Sequence, residues 1–253
     1  MSMIVAHQLT RDFGNGAGVF DVSFNVDPGE IFVFLGPNGA GKSSTVKLLT
    51  GQLRPDQGTA AVAGYDSIRH RLRLKRSIGY MAERPFLDEK LTGREFVSFV
   101  ADVYGVPLPA RQERIKELFT AFELDTHADQ LIESYSHGMR QKVALAAVLV
   151  HEPAALFLDE PTNGLDPRSA RVVKDVLRQI SSHGATVFMT THVLEIAESM
   201  CDRVAIMTSG RLSAVGSVEQ LRDLTGLPNG SLEDVYLALT GSVQFSELSL
   251  YGV

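Results

Sequence analysis

The segment from Gly36 to Ser43 places the strongest constraint on the fold of this 253-residue chain. Its letters, GPNGAGKS, fit the pattern of a glycine, four residues of any kind, then Gly-Lys and a serine or threonine. Ile31 to Leu35, just before it, is continuously apolar, as in a strand buried on both faces. Lys42 to Thr50 is predicted to be a helix that Gly51 ends. A strand, a glycine-rich loop and a helix in this order predict a phosphate-binding loop.

The loop offers several kinds of contact to a nucleotide. Glycines let backbone N–H groups turn toward phosphate oxygens, and the N-terminus of the next helix adds a favourable dipole. We expect Lys42 to neutralise the β- and γ-phosphates and the Ser43 hydroxyl to ligate Mg²⁺. The alternative is a structural glycine turn, but chance matches rarely have both flanking elements. The predicted nucleotide-binding residues of this segment are Gly36, Pro37, Asn38, Gly39, Ala40, Gly41, Lys42, Ser43 and Ser44.

Strand and helix signals alternate along much of the chain. Phe20 to Val26 alternates apolar and polar positions, which indicates a half-buried strand. Strand signals return in three later segments, with helical segments such as 169–182 between them. These segments are Ala155 to Leu158, Thr186 to Thr190 and Arg203 to Met207. The alternation predicts an α/β fold with a mainly parallel sheet.

Residues 93–150 carry mostly helical signals, including Arg111 to Phe122 and Gly138 to Val150. Because this block separates the first core strand from the later ones, we expect an inserted helical subdomain. Near the end, Ser217 to Gln220 matches a capping box, which predicts the start of another short helix. The tail after Gly241 has no clear pattern.

Two acidic residues follow the apolar segment 155–158. Asp159 and Glu160 stand at the carboxyl end of the predicted strand, beside the phosphate-binding loop. We expect Asp159 to meet Mg²⁺ directly or through water, and Glu160 to polarise the water that attacks the γ-phosphate. Taken alone, such a pair could simply cap the next helix. Downstream of a phosphate-binding loop, the catalytic interpretation is favoured.

Three further segments complete an ordered set of motifs. Between the loop and the acidic pair, YSHGMRQ at 135–141 resembles the LSGGQ signature of the ABC ATPase family. GLD at 164–166 resembles that family's D-loop, and TTH at 190–192 resembles the end of the strand that carries its switch histidine. The order of five motifs is much more specific than any one of them. The resemblance extends from Phe13 to at least Val215.

The resemblance implies a P-loop NTPase (RecA-like) core with a mainly parallel sheet, an N-terminal antiparallel β subdomain and an inserted α-helical subdomain. The whole of residues 1–253 would form a single ABC ATPase domain. The divisions that we expect are residues 1–84 and 151–215 for the nucleotide-binding core with its β subdomain, 85–150 for the helical subdomain with the signature, and 216–253 for a C-terminal helical extension.

The resemblance also implies a dimer in which ATP lies between the loop of one subunit and the signature of the other. Ser136 and Gly138 would then serve the partner's nucleotide, since a hydroxyl and a helix-start N–H are good phosphate donors. Phe13 stands where the family has an aromatic residue that stacks on adenine, with an ordinary core phenylalanine as the alternative. The implied catalytic residues are Lys42, Glu160 and His192, the last contacting the γ-phosphate.

Three residues depart from the family's pattern. Glu83 stands at the usual Q-loop glutamine, and a carboxylate can ligate Mg²⁺ or accept from water but cannot donate as an amide does. In the signature, His137 replaces the first glycine and Met139 replaces the glutamine. Segments such as IGYMAE at 78–83 and SLEDVY at 231–236 are most similar to ATPase subunits of ABC-2-type exporters. The expected metal ligands are Ser43, Glu83 and Asp159.

The expected function is therefore an ATP-binding and ATP-hydrolysing subunit that powers an ABC transporter of this exporter type, with ATP and Mg²⁺ as its cofactors. The alternative is an ABC ATPase that acts without a membrane partner in translation or repair. Those relatives usually fuse two cassettes or carry long coiled-coil insertions. This sequence contains one cassette, and the interval between the loop and Asp159 is too short for such insertions. A P-loop kinase or GTPase needs neither the signature nor the switch histidine.

Charge and hydropathy indicate the kind of partner. The net charge of -6 gives no overall attraction to nucleic acid, and we expect no nucleic-acid partner. The longest apolar run, Val143 to Val150, is too short to span a bilayer. We therefore expect a peripheral position on the cytoplasmic face of the cell membrane, with transmembrane permease subunits and a second copy of this chain or a related ATPase subunit as partners.

One local exception to the acidic balance is the basic run at 69–76, RHRLRLKR. The usual interpretation of such a run is a solvated helix face. The alternative is a patch that faces a partner or anionic lipid headgroups.

Overall fold

Strands and helices alternate along residues 1–241, the part of the chain that the computed structural model describes. The strands are β1 (Ile4–Gly14), β2 (Ala17–Val26), β3 (Ile31–Leu35), β4 (Gln57–Val62), β5 (Tyr65–Asp66), β6 (Ile78–Met81), β7 (Ala155–Asp159), β8 (Thr186–Thr191), β9 (Arg203–Thr208) and β10 (Arg211–Gly216). The α-helices are α1 (Lys42–Leu49), α2 (Arg71–Ser77), α3 (Gly93–Val103), α4 (Leu108–Ala121), α5 (His137–Leu149), α6 (Pro167–Ser182), α7 (Leu194–Met200), α8 (Val218–Thr225) and α9 (Leu232–Thr240).

A six-stranded sheet with the order β10-β9-β3-β8-β7-β6 forms the centre of the molecule. All of its neighbouring strands are parallel except β9 and β10, which pair antiparallel. Every residue of β3, β7 and β8 is buried, as continuously apolar strands covered on both faces require. The predicted mainly parallel sheet is confirmed. Its carboxyl-end edge carries the loops that follow β3, β7 and β8.

A second sheet of four strands, with the order β2-β1-β4-β5, is antiparallel throughout. The N-terminal antiparallel β subdomain that the resemblance implied is confirmed. No hydrophobic pattern located β1 within it, and the geometry of this strand explains why. Its pairing with β2 shifts register after Ala6 and again after Leu9, and Gln8 has a φ of 48°. These irregularities disrupt the period-two alternation by which a strand is recognised.

Aromatic side chains fill the space between the two sheets. Phe24 of β2 stacks on Phe32 of β3 with ring centroids 5.4 Å apart. Phe34 and Phe188 lie 5.1 Å and 5.9 Å from the same Phe24 ring, and Phe157 lies 5.4 Å from Phe188. The contacts fix the small sheet against the central one, and with it the β1–β2 hairpin that carries Phe13.

The segment between β6 and β7 is helical, as predicted. It contains α3, α4 and α5, with 3-10 turns at Asp125–His127 and Ile132–Ser134. A complete capping box between Thr92 and Glu95 begins α3. The Ser136 side chain accepts a hydrogen bond from the Met139 N–H and begins α5.

The chain continues after the central sheet into α8 and α9. The predicted capping box between Ser217 and Gln220 is confirmed, and a second one joins Ser231 to Asp234. The tail after Gly241, and with it the end of the predicted extension 216–253, lies outside the described residues.

None of the helices within residues 1–241 has the length and apolar character needed to cross a membrane.

Candidate nucleotide-binding site

A cleft of about 370 Å³ opens where β3, β7 and β8 end. Its walls come from the β1–β2 hairpin, the phosphate-binding loop with the start of α1, and the segments that follow β6, β7 and β8. The lining residues predicted from the sequence are Phe13, Pro37, Asn38, Gly39, Ala40, Gly41, Lys42, Ser43, Ser44, Glu83, Asp159, Glu160 and His192. Gly36 lies at the start of the loop, where its carbonyl oxygen contacts Lys42.

The loop leaves the start of α1 open to an anion. Gly41 precedes the helix with a φ of 105°, in the region that favours glycine. A Cβ at this position would lie 2.9 Å from the Gly18 carbonyl oxygen, so a side chain does not fit. No side chain caps the helix start. The first N–H groups of α1 are thus available to phosphate oxygens, and the helix dipole favours negative charge there.

Lys42 is almost fully buried, with 7% of its surface exposed. Its Nζ donates to the carbonyl oxygens of Gly36 at 2.7 Å and Pro37 at 3.2 Å and lies 3.8 Å from Glu160 Oε1. Burial lowers the pKa of Lys42, while the carboxylates of Glu160, Asp159 and Glu83 act against that shift. Carbonyl dipoles and carboxylates therefore hold the ammonium group at the base of the cleft. A positive charge at this position can attract a phosphate group that enters the cleft.

The acidic pair is held by the neighbouring strand β8. Asp159 pairs in register with Thr190, whose Oγ1 donates a hydrogen bond to Asp159 Oδ1. The Glu160 N–H donates to the Thr190 carbonyl oxygen at 3.1 Å and lies 3.3 Å from its Oγ1. Glu160 adopts a φ of 50°, an uncommon conformation for a residue other than glycine. The backbone turns here so that both carboxylates line the cleft, although they are adjacent in the chain.

His192 follows β8 and contacts the second carboxylate. Its Nδ1 lies 2.8 Å from Glu160 Oε1. An ionised carboxylate can only accept a hydrogen bond, so Nδ1 donates in this pair. The structure thus brings Lys42, Glu160 and His192, the three residues predicted to be catalytic, into direct contact around one carboxylate oxygen.

The cleft offers oxygen donors to a metal ion. Ser43, Glu83 and Asp159 all line it and provide hard oxygen donors, which Mg²⁺ prefers. Within residues 1–241, no group of three His, Cys, Asp or Glu side chains is arranged to hold a metal ion by itself. Mg²⁺ usually binds through one or two carboxylates together with substrate phosphates and water. The donor set fits such an ion and does not form a complete protein cage.

Phe13 is half exposed, with 50% of its surface accessible, so it is not a core residue. The Arg11 guanidinium lies 5.6 Å from the ring centroid and also pairs with Asp56 at 2.6 Å. An exposed ring at the rim of the cleft can stack on a base. The interpretation of Phe13 as an ordinary core phenylalanine is wrong.

Two predicted residues, Ser136 and Gly138, do not line the cleft. Ser136 caps α5, and Gly138 packs against α6, where a built Cβ would lie 3.4 Å from Ser169 Oγ. His137, which replaces a signature glycine, places its Nε2 3.2 Å from the Asn163 carbonyl oxygen. The segment 135–141 therefore contacts the residues that follow Glu160 in its own chain, and Ser136 and Gly138 lie outside the cleft.

Sequence reasoning missed several residues of the site. Gly18 and Asn163 line the cleft, and Thr190 binds the acidic pair. Gln141 is buried in α5, and its Nε2 donates to the Pro161 carbonyl oxygen at 3.2 Å. The strand motif around Thr190 was visible in the sequence, but nothing local indicated which carboxylate its hydroxyl would meet.

Comparison with known proteins gives consistent results. Residues 19–163, more than half of the chain, match the family described as ABC transporter. The daunorubicin/doxorubicin resistance ATP-binding protein DrrA of Streptomyces peucetius is 40% identical over 218 residues, which cover 86% of this chain and 66% of DrrA. The probable multidrug ABC transporter ATP-binding protein YbhF of Escherichia coli (strain K12) is 37% identical over 241 residues, covering 94% of this chain and 42% of YbhF. The chain thus spans less than two thirds of each of these two relatives.

A solved structure of the ATP-binding subunit of an ABC transporter is similar to this chain with a TM-score of 0.88 and 31% identity. The match covers 94% of this chain and all of the other one. The predicted resemblance and the predicted P-loop NTPase fold class are both confirmed. The chain belongs to the ABC transporter family.

Proposed function

We propose that this chain hydrolyses ATP to power an ABC transporter of the exporter type, through ATP-dependent closure of a dimer. The observation that carries the proposal is the contact of Lys42, Glu160 and His192 within a cleft that the phosphate-binding loop lines. The names of DrrA and YbhF, which refer to drug resistance and multidrug transport, support an exporter.

The catalytic step that we propose uses Glu160 to orient and polarise the attacking water. His192 holds this carboxylate at 2.8 Å, while Lys42 offers its positive charge to the phosphates. Because Nδ1 of His192 donates to Glu160, its Nε2 can donate to a phosphate oxygen only when the ring carries a second proton.

Mg²⁺ would be held by Ser43 and Asp159, with Glu83 as a further carboxylate at the same cleft. When bound, it would neutralise charge that develops on the phosphate oxygens. Asp159 is already oriented by the Thr190 hydroxyl, so one of its oxygens is engaged and the other is available. The Ser43 hydroxyl stands in the first turn of α1, beside the phosphate-binding N–H groups.

The second copy of the chain, or a related ATPase subunit, would complete the site. Ser136 and Gly138 lie outside the cleft of their own chain, which supports a role toward the nucleotide of a partner. Ser136 begins α5, so its hydroxyl and the free N–H groups of that helix start point to the same region. The Gln141 side chain connects α5 to the segment after Glu160 by a hydrogen bond, so a movement of α5 would displace that segment.

Transmembrane permease subunits would dock in a second groove of about 500 Å³, which begins where the segment after Glu83 passes between the core and the helices. Pro85, Phe86 and Leu87 line it together with Phe96 of α3, and Phe86 is 88% exposed. An apolar groove with an exposed aromatic residue is typical of a protein interface. The chain would thus be a peripheral protein on the cytoplasmic face of the cell membrane.

The division of the chain that we propose follows this arrangement. Residues 1–84 and 151–215 would form the nucleotide-binding core with its β subdomain, 85–150 the helical subdomain, and 216–253 the C-terminal extension. The hinge between core and helices would lie beside Glu83, at the junction of the two grooves. An ABC ATPase of translation or repair is not favoured, because the relatives are transporter proteins.

The test is Glu160→Gln, which keeps the size of the side chain and an acceptor for His192. We expect ATP binding to persist while the hydrolysis rate falls at least about 100-fold, as when a general base is removed. Size-exclusion chromatography with Mg-ATP should show a dimer of the variant. Glu113→Gln, an exposed change in α4, serves as the matched control. A strictly monomeric variant, or one with undiminished turnover, would contradict the proposal.

A further inference from the structure

The short helix α2 exposes nearly all of the basic run that the sequence contains. Leu74 is its only buried residue. At about 100° per residue, the direction opposite Leu74 falls between Leu72 and Arg76. Leu72 is 80% exposed, so an apolar side chain stands at the outermost point of the helix. Cations surround it on every side, and with it they form what we call the basic surface: Arg69, Arg71, Leu72, Arg73, Lys75 and Arg76.

The cations of this surface have no carboxylate at ion-pair distance in the described part of the chain, although the backbone hydrogen bond from Arg69 and, to a smaller extent, the charge of Arg69 contribute to a lowered pKa of Asp66. Within residues 1–241, none of the five forms an ion pair with a carboxylate. Asp66 is the carboxylate closest to them in sequence, and it accepts from the backbone N–H groups of Ile68 at 2.9 Å and Arg69 at 2.8 Å. The chain as a whole carries a charge of -6, so the positive charge is concentrated here against the general balance.

The basic surface borders the groove in which we propose that the permease docks. Lys75 of α2 lines that groove together with Tyr80 and the exposed Phe86. In the orientation that we propose, the groove faces the permease and the bilayer, and the basic surface beside it faces the lipid headgroups. This orientation rests on the proposed function; the composition of the surface does not.

We propose that the basic surface binds anionic lipid headgroups, as a contact with the membrane that is separate from the permease. Five cations attract a negatively charged leaflet, and each adds to the binding when it lies near the surface. The exposed Leu72 at their centre distinguishes a lipid interface from a nucleic-acid backbone. An apolar side chain can enter the boundary between headgroups and acyl chains, whereas a phosphodiester backbone offers it no apolar partner.

Flotation with lipid vesicles tests the proposal, using the full chain without nucleotide or permease. The vesicles contain either phosphatidylcholine alone or phosphatidylcholine with about 30% phosphatidylglycerol, a content that gives a marked negative surface potential. We expect the chain to float with the anionic vesicles only, and to be released at about 0.5 M salt, where charges are screened within a few ångströms. Equal binding to both vesicles, or binding to neither, would overturn the proposal; the second result would favour an acidic protein segment.

Variants assign the binding to α2. Arg73→Gln with Arg76→Gln should lower the partition coefficient about 30-fold, since each cation near an anionic surface contributes about fivefold. Lys116→Gln with Arg171→Gln removes the same charge from exposed positions of α4 and α6 and should change it less than about twofold. Equal losses in the two double variants would show general electrostatic attraction and overturn the assignment.

Leu72→Gln separates insertion from charge. It leaves every cation in place and should lower the partition coefficient about fivefold, the effect of not burying about half of a leucine side chain. Unchanged binding of this variant would contradict the insertion of Leu72. All these changes are at exposed positions far from the catalytic contacts, so ATPase turnover should stay at the parent rate. The Glu160→Gln experiment therefore fails or succeeds independently of the vesicle experiment.

Discussion

Thr190→Val removes one hydroxyl from the centre of the proposed catalytic site while leaving the shape of the side chain almost unchanged. Thr190 is fully buried, and its Oγ1 donates to Asp159, which is itself buried. Hydrogen bonds to charged groups contribute about 2 kcal/mol, and a buried carboxylate that loses its donor is not compensated by water. We therefore expect the free energy of unfolding to fall by about 2 kcal/mol.

The neighbouring Thr191 provides a matched control. It is equally buried, and its Oγ1 accepts from the Val193 N–H at 3.1 Å, a bond between neutral groups. Thr191→Val should therefore cost about 1 kcal/mol, roughly half the cost at Thr190. Thr190→Ser keeps the hydroxyl and should retain most of the bond to Asp159, losing one methyl contact instead.

Urea unfolding followed by circular dichroism measures these differences, since the shift of the midpoint multiplied by the slope gives the change in free energy. A titration of ATPase rate with Mg²⁺ adds a functional measurement. Thr190→Val should require more Mg²⁺ for half-maximal rate, because Asp159 loses the group that orients it, and Thr190→Ser should not. Equal midpoints for the two valine variants would refute the special role of the charged bond.

Three further predictions concern the proposed cycle. Lys42→Ala should lower ATP affinity about 30-fold, which corresponds to the loss of a charge-assisted hydrogen bond of about 2 kcal/mol. Equilibrium binding of a fluorescent ATP analogue measures this affinity, and binding as tight as in the parent would contradict the role of Lys42. An equal mixture of Ser136→Arg and Lys42→Ala subunits should recover about a quarter of the parent ATPase rate, because half of the dimers are mixed and each of these keeps one intact composite site. If activity followed each chain separately, the shared site would be wrong. Glu83→Ala in the assembled transporter should weaken the stimulation of ATPase by the permease more than it weakens ATP binding, since coupling requires that the partner bind the nucleotide states differently. Unchanged stimulation would leave Glu83 as an ordinary loop residue.

Features encoded in short windows were predictable from the sequence. The loop at 36–43 contains its own turn residues, its lysine and its flanking apolar segment, and the structure has β3 and α1 at those positions. The same holds for β7 and β8, whose apolar residues are contiguous, and for the capping box at Ser217. Hydrophobic period and turn chemistry act over a few residues, so they are visible without the fold.

Features that depend on pairing between distant segments were not predictable in the same way. The strand β1 was missed because its register shifts hide the alternation, and only its pairing with β2 and β4 defines it. The exposure of Phe13 at the cleft follows from that hairpin, so the choice between a core residue and a rim residue could not be made from the sequence.

The sequence by itself determined which chemical groups the proposed nucleotide site contains: a phosphate-binding loop, a lysine, two adjacent carboxylates and a histidine, in the order typical of the family. Only the tertiary structure decided how they meet. The bond from Thr190 to Asp159, the left-handed turn at Glu160 and the bond from Gln141 to the Pro161 carbonyl oxygen each arise where separate elements pack. Local patterns specify elements through steric and hydrophobic periodicity, whereas the partner of a buried polar group is chosen by the packing that excludes water from it.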